Sequence, residues 1–489
     1  MNNILRRSPF KVNKVESDPQ AFGLRIIETR SCVEALYNDR SILITGPRGI
    51  GKSSLGVQMQ NILMGNPILL RRCGIETDLP FCLCAFKVCS NEETLDQIIY
   101  DILSDFENQV SRFFYTSKIN TRLEFNLGIF KTQIETELQK KKFLPATLAN
   151  ILVNALFSII NKVDCDMGLN IMIDEVDQIS KDINFGHFIK VVHETLNRKG
   201  IENVTFIFAG QSGVFSRFNN EDPSFERIVT HIPISTLDSK ASEHILDYAQ
   251  ENCRPPFLIE SPATKMILSL ASGYPYVIHL ISDYAFTVMK DVRKMKIKDV
   301  LNGLQKILQS DKKEKYLNHL KSLTKDERKI LVTLSAFQSE NVPVNVPLGW
   351  INDRFGETTE NSLSVEKIIS NLNNLVEKQY LRISRDKINK KTVYYSFSEE
   401  LFRVFISLKR IELYELIARN RSKKLSDQHI VVSTFNEPFA TDKYFFDNDD
   451  IVDSDIKGKA VATVIEQMNH SEFDYEYENE DTVYLDSIE

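Results

Sequence analysis

Nowhere in the 489 residues is there a run approaching the ~20 consecutive apolar residues of a membrane-spanning helix, so no membrane association is expected. The opening Met1-Asn2-Asn3-Ile4-Leu5-Arg6-Arg7 lacks the apolar core of a secretory signal, and the cytoplasm is the expected compartment. Cysteine is sparse: seven residues, odd in number and widely spread, argue against a disulfide framework. Cys73, Cys82, Cys84 and Cys89 lie close in sequence, but no histidine accompanies them. Cys82 and Cys84 would share one face of an apolar strand and Cys89 the other, so buried free thiols are expected rather than zinc. The eight histidines are scattered, and there is a single tryptophan, Trp350. Basic residues are nearly missing from the C-terminal end: Leu425–Glu489 holds 17 Asp/Glu against 3 Lys, a net of −14. Since the whole chain carries −7, residues 1–424 carry about +7.

What is present is ordinary in bulk, with 42% hydrophobic and 26% charged residues, and the length suits two to four domains. One segment is not ordinary. Gly46-Pro47-Arg48-Gly49-Ile50-Gly51-Lys52-Ser53 is a complete G-x-x-x-x-G-K-S loop, followed by Ser54. Glycines let backbone N–H groups approach a β-phosphate, the lysine reaches β/γ oxygens, and the serine hydroxyl suits Mg²⁺. Ser41–Thr45 reads as a buried strand before the loop. Ser54–Met64 reads as a helix after it, adding a positive dipole at the phosphates.

A metal site needs a carboxylate opposite this loop. Leu169-Asn170-Ile171-Met172-Ile173-Asp174-Glu175 is an apolar strand ending in two acids. Asp174 is assigned to Mg²⁺ with Ser53, and Glu175 to the attacking water. Asp177 is read as a cap for the helix that follows. A third buried strand, Val204–Gly210, ends in Gln211, where open α/β sheets place ligands. Arg227 precedes the strand-like His231–Ile234, and two readings of it stay open: an arginine facing a neighbouring subunit's nucleotide, and a surface arginine.

These residues together resemble the AAA+/STAND group of P-loop ATPases, on the prokaryotic branch close to origin-recognition initiators. The resemblance spans roughly residues 8–400 and includes Gly273-Tyr274-Pro275. In that group a Gly-x-Pro opens a lid helix, which implies that Pro275 lies near the nucleotide. It implies that Gln211 senses the γ-phosphate, that Ser8-Pro9-Phe10 packs near adenine, and that ATP and Mg²⁺ are bound. It also implies ATP hydrolysis and self-association. One departure is the lack of a lid arginine near Gly273, which favours a slow, switch-like ATPase. The separation of Lys52 from Asp174 implies an insertion within 107–168.

The expected fold is α/β: a P-loop parallel-sheet core over 1–237, a helical lid over 238–320, a winged-helix domain with a C-terminal helix over 321–424, and an acidic tail over 425–489. Helices are expected over Arg25–Tyr37, Ser90–Phe106 (capped by Ser90), Leu144–Val163 and Gly186–Arg198, with an extra strand or hairpin at Arg122–Phe130. In the lid they are expected over Ser242–Glu251, Pro262–Ala271 and Pro275–Arg293. The winged helix is read from helices Thr324–Ala336, Leu348–Phe355 and Val365–Lys378, then strands Tyr380–Ser384 and Thr392–Phe397. The chain would continue as a helix over Glu399–Lys424. Arg382, Arg385, Lys387, Lys390 and Lys391 on the wing suit phosphate contacts with duplex DNA, whereas Glu366 and Glu377 on the third helix do not. The acidic tail alternates with aromatics, as in Phe473-Asp474-Tyr475-Glu476-Tyr477-Glu478, and two readings stay open: a segment that docks on a protein partner or on this chain's own basic surface, and a disordered solubility tail.

Three functions are open on this reading: a nucleotide-driven switch, an ATP-dependent DNA-binding initiator or loader, and a low-turnover regulatory subunit in a defence or mobile-element system.

Overall fold

The computed structural model describes residues 6–91, 93–113, 128–134, 145–161, 167–308, 312–335, 346–349, 351–352, 363–385, 393–399 and 402–406. Residues 122–127 of the expected extra strand, Trp350, Lys387, Lys390, Lys391 and the acidic tail lie outside these. So do residues 407–424 of the expected C-terminal helix.

Five apolar segments form one parallel sheet: β1 Ser41–Thr45, β2 Cys82–Val88, β3 Gly168–Asp174, β4 Val204–Gly210 and β5 Val229–Pro233. Their order across the sheet is β2-β3-β4-β1-β5. Strands β1, β3 and β4 are buried along their whole length because helices cover both faces, which is why their sequences do not alternate.

The flanking helices are α1 Ile26–Tyr37, α2 Lys52–Leu63, α3 Ile68–Arg72, α4 Leu95–Phe113, α5 Pro145–Ile160, α6 Phe185–Arg198, α7 Val214–Glu221 and α8 Phe225–Ile228. On one face Ile42, Ile44, Met172 and Ile207 pack against Cys32 and Leu36 of α1 and Leu55 and Met59 of α2. On the other, Leu43, Ile171, Ile173 and Phe208 meet Ile102 and Phe106 of α4, Leu156 of α5 and Val192 of α6. The same alternation puts Cys82 and Cys84 on the first face and Cys89 on the second, all as buried free thiols.

Two polar devices hold the sheet. Gln60 of α2 donates to the Ala85 carbonyl (2.9 Å) and to Asn170 Oδ1 (3.2 Å), while Asn170 Nδ2 donates to Thr205 Oγ1 (2.9 Å). These buried groups satisfy one another and fix α2 across three strands. Among the described residues no strand pairs with the outer edge of β2, and side chains of α4 meet its backbone there. Asp105 accepts the Phe86 N–H (2.8 Å), Gln109 accepts the Cys84 N–H (3.3 Å), and the Gln109 amide donates back to the Cys84 carbonyl.

Some boundaries differ from expectation. Helix α4 starts at Leu95, and Ser90 does not cap it; the Ser90 N–H instead donates to Glu93 (3.0 Å). Residues 128–130, expected to be extended, belong to a helical stretch over 128–134.

The segment expected to form the lid, and called the lid below, contains α9 Ser239–Asn252, α10 Ser261–Ala271, α11 Pro275–Val288 and α12 Ile297–Leu308. Asp238 caps α9 by accepting the Ala241 N–H (2.7 Å). It is not wholly helical, since β6 Leu258–Ile259 and β7 Lys294–Met295 pair in parallel; this strand and its turn end α11 at Val288, short of the expected Arg293.

Beyond it lie α13 Lys312–Lys321, α14 Lys325–Ser335 and α15 Val365–Glu377. The expected hairpin, β9 Leu381–Arg385 and β10 Val393–Phe397, is joined by an unanticipated strand, β8 Val346–Pro347. Two basic side chains of this region are engaged internally, Arg382 among those read as suiting DNA. Lys378 pairs with buried Glu327 (2.7 Å), and Arg382 donates to the Phe397 carbonyl (2.7 Å). Helical residues 402–406 return to the lid, where Arg403 donates to the Leu270 carbonyl (2.9 Å) and Ser272 Oγ (2.7 Å).

Candidate functional site

In a parallel sheet every carboxyl end lies at one rim, and a crevice opens where the strand order reverses. The loop Gly46–Gly51 leaves β1 at that rim. Strand β4 separates it from β3, so Gln211 lies between the loop and Asp174. All these groups line one cleft of about 470 Å³.

The loop conformation depends on Gly49 (φ +75°) and Gly51 (φ +102°), in a region that disfavours side chains. A Cβ on Gly49 would also come within 2.9 Å of Tyr276 Cβ. Three carbonyls of the loop are held by donors around it. That of Pro47 accepts Lys52 Nζ (3.0 Å), that of Gly49 accepts the Tyr276 N–H (3.3 Å), and that of Ile50 accepts Arg25 Nη2 (2.6 Å). In a trans peptide the following N–H points the opposite way, so the N–H groups of Ile50 and Gly51 turn from Tyr276 and Arg25.

Burial depresses the Lys52 ammonium below the ordinary lysine value, and Asp174, Asp177 and Glu175 offset this only in part. Burial holds the Asp174 carboxyl above the usual aspartate range, against the Ser53 hydroxyl, the Glu175 N–H and the charge of Lys52. A cation held by oxygen ligands suits this pair of Ser53 hydroxyl and Asp174 carboxylate, so the residues fit Mg²⁺ shared with phosphate oxygens. Among the described residues no cluster of three or more His, Cys, Asp or Glu side chains could hold a metal alone.

Glu175 is left-handed (φ 53°, ψ 39°), a conformation costly for a residue with a side chain, and its N–H donates to Asp174 Oδ1 (2.8 Å). The turn leaves its side chain exposed at the cleft. Asp177 is not a helix cap. It accepts the Gln211 N–H (3.1 Å) and Gln211 Nε2 (2.8 Å), tying the ends of β3 and β4 together. Arg217 of α7 steadies the same turn, donating to the carbonyls of Val176 (2.9 Å) and Ile179 (3.1 Å).

Pro275 opens α11 and lines the cleft. Arg227 is elsewhere. Ser41 pairs with Val229, so Arg227 lies beyond the amino ends of β1 and β5, at the rim opposite the loop. It is exposed there and lines a second cavity of about 370 Å³ with Asp39, Arg40, His193 and Glu202. Phe10 packs edge-on against Phe257 (6.4 Å) and Phe286 (6.5 Å) of the lid, and the next residues, Lys11–Glu16, form the cleft wall.

Sequence reasoning missed Arg25, Tyr276 and His279. Arg25 is buried and bridges the Ile50 carbonyl to that of Ser235 (2.5 Å). Its only sequence signal was Glu28 one turn later, which pairs with it at 3.5 Å.

No protein-family profile and no curated protein matches the chain in sequence. Solved structures do match. The chain is similar to ORC1, ORC2 and RuvB. Aeropyrum pernix ORC1, solved in complex with DNA, aligns over 82% of this chain and 96% of its own at 14% identity and a TM-score of 0.40. Aeropyrum pernix ORC2, solved as ADPNP–ADP complexes, aligns over 83% and 98% at 14% identity and 0.43. A point variant of Thermotoga maritima RuvB aligns over 77% and 92% at 15% identity and 0.33.

Proposed function

We propose that the chain is an ATP-binding and hydrolysing molecular switch of AAA+/STAND type, whose nucleotide state repositions the C-terminal, winged-helix region. The observation that carries this reading is the convergence of Lys52, Ser53, Asp174, Glu175 and Gln211 on one cleft. The Gly49–Gly51 backbone and Lys52 bind the β/γ-phosphates. Ser53 and Asp174 would hold Mg²⁺, which would supply charge neutralisation at the phosphate oxygens. Glu175 orients and deprotonates the attacking water, and Gln211, fixed by Asp177, meets the γ-phosphate. Catalysis is thus positioning and electrostatics.

The switch reading is supported by a contact path. Tyr276 touches the loop at Gly49, Pro275 and Ser272 flank that corner of the lid, and Arg403 holds Ser272 from the C-terminal region. A shift of α11 on nucleotide loss would therefore be felt at Arg403. Arg227, remote from its own loop, would act on the nucleotide of a neighbouring copy.

The test is steady-state ATP hydrolysis with and without duplex DNA, with Lys52→Ala as the blank. Slow turnover indifferent to DNA fits a switch that awaits a protein partner, through the acidic tail or otherwise. Turnover stimulated by DNA would move the reading to an initiator or loader. Turnover equal to that of Lys52→Ala would overturn the enzymatic assignment.

A further inference from the structure

The cleft has two unlike ends. The phosphate end carries Lys52, Ser53 and the acids. The other is walled by Val12, Val15, Phe22, Leu237 and Ile245, apolar groups interleaved with Lys11, Asn13, Lys14 and Glu16 of the N-terminal segment, a mixture of apolar surface and a few polar groups that suits a nucleoside. Among the lid residues lining the cleft there is no lysine or arginine; α11 contributes Pro275, Tyr276 and His279.

His279 lies one helical turn beyond Pro275, away from the loop. Its Nδ1 accepts the Lys11 backbone N–H (3.3 Å), so the proton resides on Nε2. Nε2 has no hydrogen-bond partner among the described residues, and the side chain lines the cleft. Burial, with the nearby Lys11 charge, pushes the imidazolium down to about 4, which keeps the ring neutral at physiological pH. A neutral, oriented N–H donor is poorly matched to phosphate and well matched to a sugar hydroxyl or a base ring nitrogen.

We infer that His279 is the lid's nucleotide-contacting residue and that it reads the nucleoside: its Nε2–H donates to a neutral acceptor on ribose or base. This rests on the nucleotide-binding reading above. The lid would then close on the nucleoside part of ATP or ADP alike, and the γ-phosphate would be sensed from the sheet side through Gln211 and Glu175.

The experiment is calorimetric titration of the full chain with Mg²⁺ and, separately, ATP, ADP, 2′-deoxyATP and inorganic tripolyphosphate. His279→Ala should weaken ATP and ADP by a similar factor, about 3–10-fold for one lost hydrogen bond, and leave tripolyphosphate unchanged. His279→Gln, which keeps a donor at the same reach, should recover most of the loss. His279→Asn, which keeps the tie to Lys11 but not the reach, should not. If 2′-deoxyATP is insensitive to His279→Ala, the acceptor is the ribose hydroxyl; if it weakens like ATP, the acceptor is elsewhere on the nucleoside. Equal weakening of ATP and tripolyphosphate, or no change in either, would overturn the inference. Wild-type protein binding ATP no better than Lys52→Ala would overturn the nucleotide reading as well.

Discussion

Two lysines near the carboxyl rim of the sheet have opposite surroundings. Lys87, on the edge strand β2, meets Glu93 and Asp101, each at 2.6 Å. Burial alone would lower its pKa, but hydrogen bonds to the two carboxylates prevail and raise it. Lys52, in the cleft, hydrogen-bonds only a carbonyl, that of Pro47, and its pKa falls. The edge lysine is electrostatically complete and serves the fold. The cleft lysine has no carboxylate in hydrogen-bond contact among the described residues, and Glu175 beside it is held in a left-handed conformation. On the proposed reading, the contrast is one between a charge that serves the fold and a charge that serves a bound phosphate.

The largest effect that would break this contrast is on binding. Lys52→Ala should weaken MgATP by about 100-fold or more in the calorimeter, the loss expected for a desolvated, charge-assisted contact. Glu175→Gln comes next: ATP binding should persist while turnover drops by about 100-fold or more, as for loss of a general base. Normal turnover in that variant would remove Glu175 from the chemistry. Lys87→Met should leave ATP turnover unchanged but cost about 1–3 kcal/mol in urea unfolding, since two carboxylates lose their partner. That difference has a definite pH course. A raised lysine pKa stabilises the fold fully below the ordinary lysine value near 10.4 and fades as pH climbs through the raised one. The gap between wild type and Lys87→Met should thus be flat at neutral pH and close only in strong alkali. Smallest is the stability change in Lys52→Met: a gain of up to about 1 kcal/mol without nucleotide, because a buried, incompletely paired ammonium is removed. Destabilisation there would show that Lys52 also holds the loop together.

Much of this contrast was legible in the sequence. The run Gly46–Ser53 requires glycines in a left-handed loop, and Ile173-Asp174-Glu175 requires an apolar strand to end in acids; local pattern carried both. Strands β1 and β4 were readable to their end residues because wholly buried strands lack alternation. The role of Asp177 was not readable, since its partner Gln211 is 34 residues away. Neither was Arg25, which contacts the loop 25 residues on and Ser235 210 residues on. His279 looked like one of several scattered histidines until the fold brought Lys11 to its Nδ1. Arg382 looked available for phosphate because sequence shows a charge but not what already holds it.

The closed β2 rim has a consequence for how this protein behaves in concentrated solution. A bare edge strand recruits strands from other molecules and seeds aggregation. Here Asp105 and Gln109 occupy the positions a recruited strand would need at Cys84 and Phe86. Growth of the sheet by addition of a sixth strand is blocked at that rim, and copies that associate must do so through surfaces that leave the rim covered. Keeping α4 intact is therefore a matter of solubility as much as of fold.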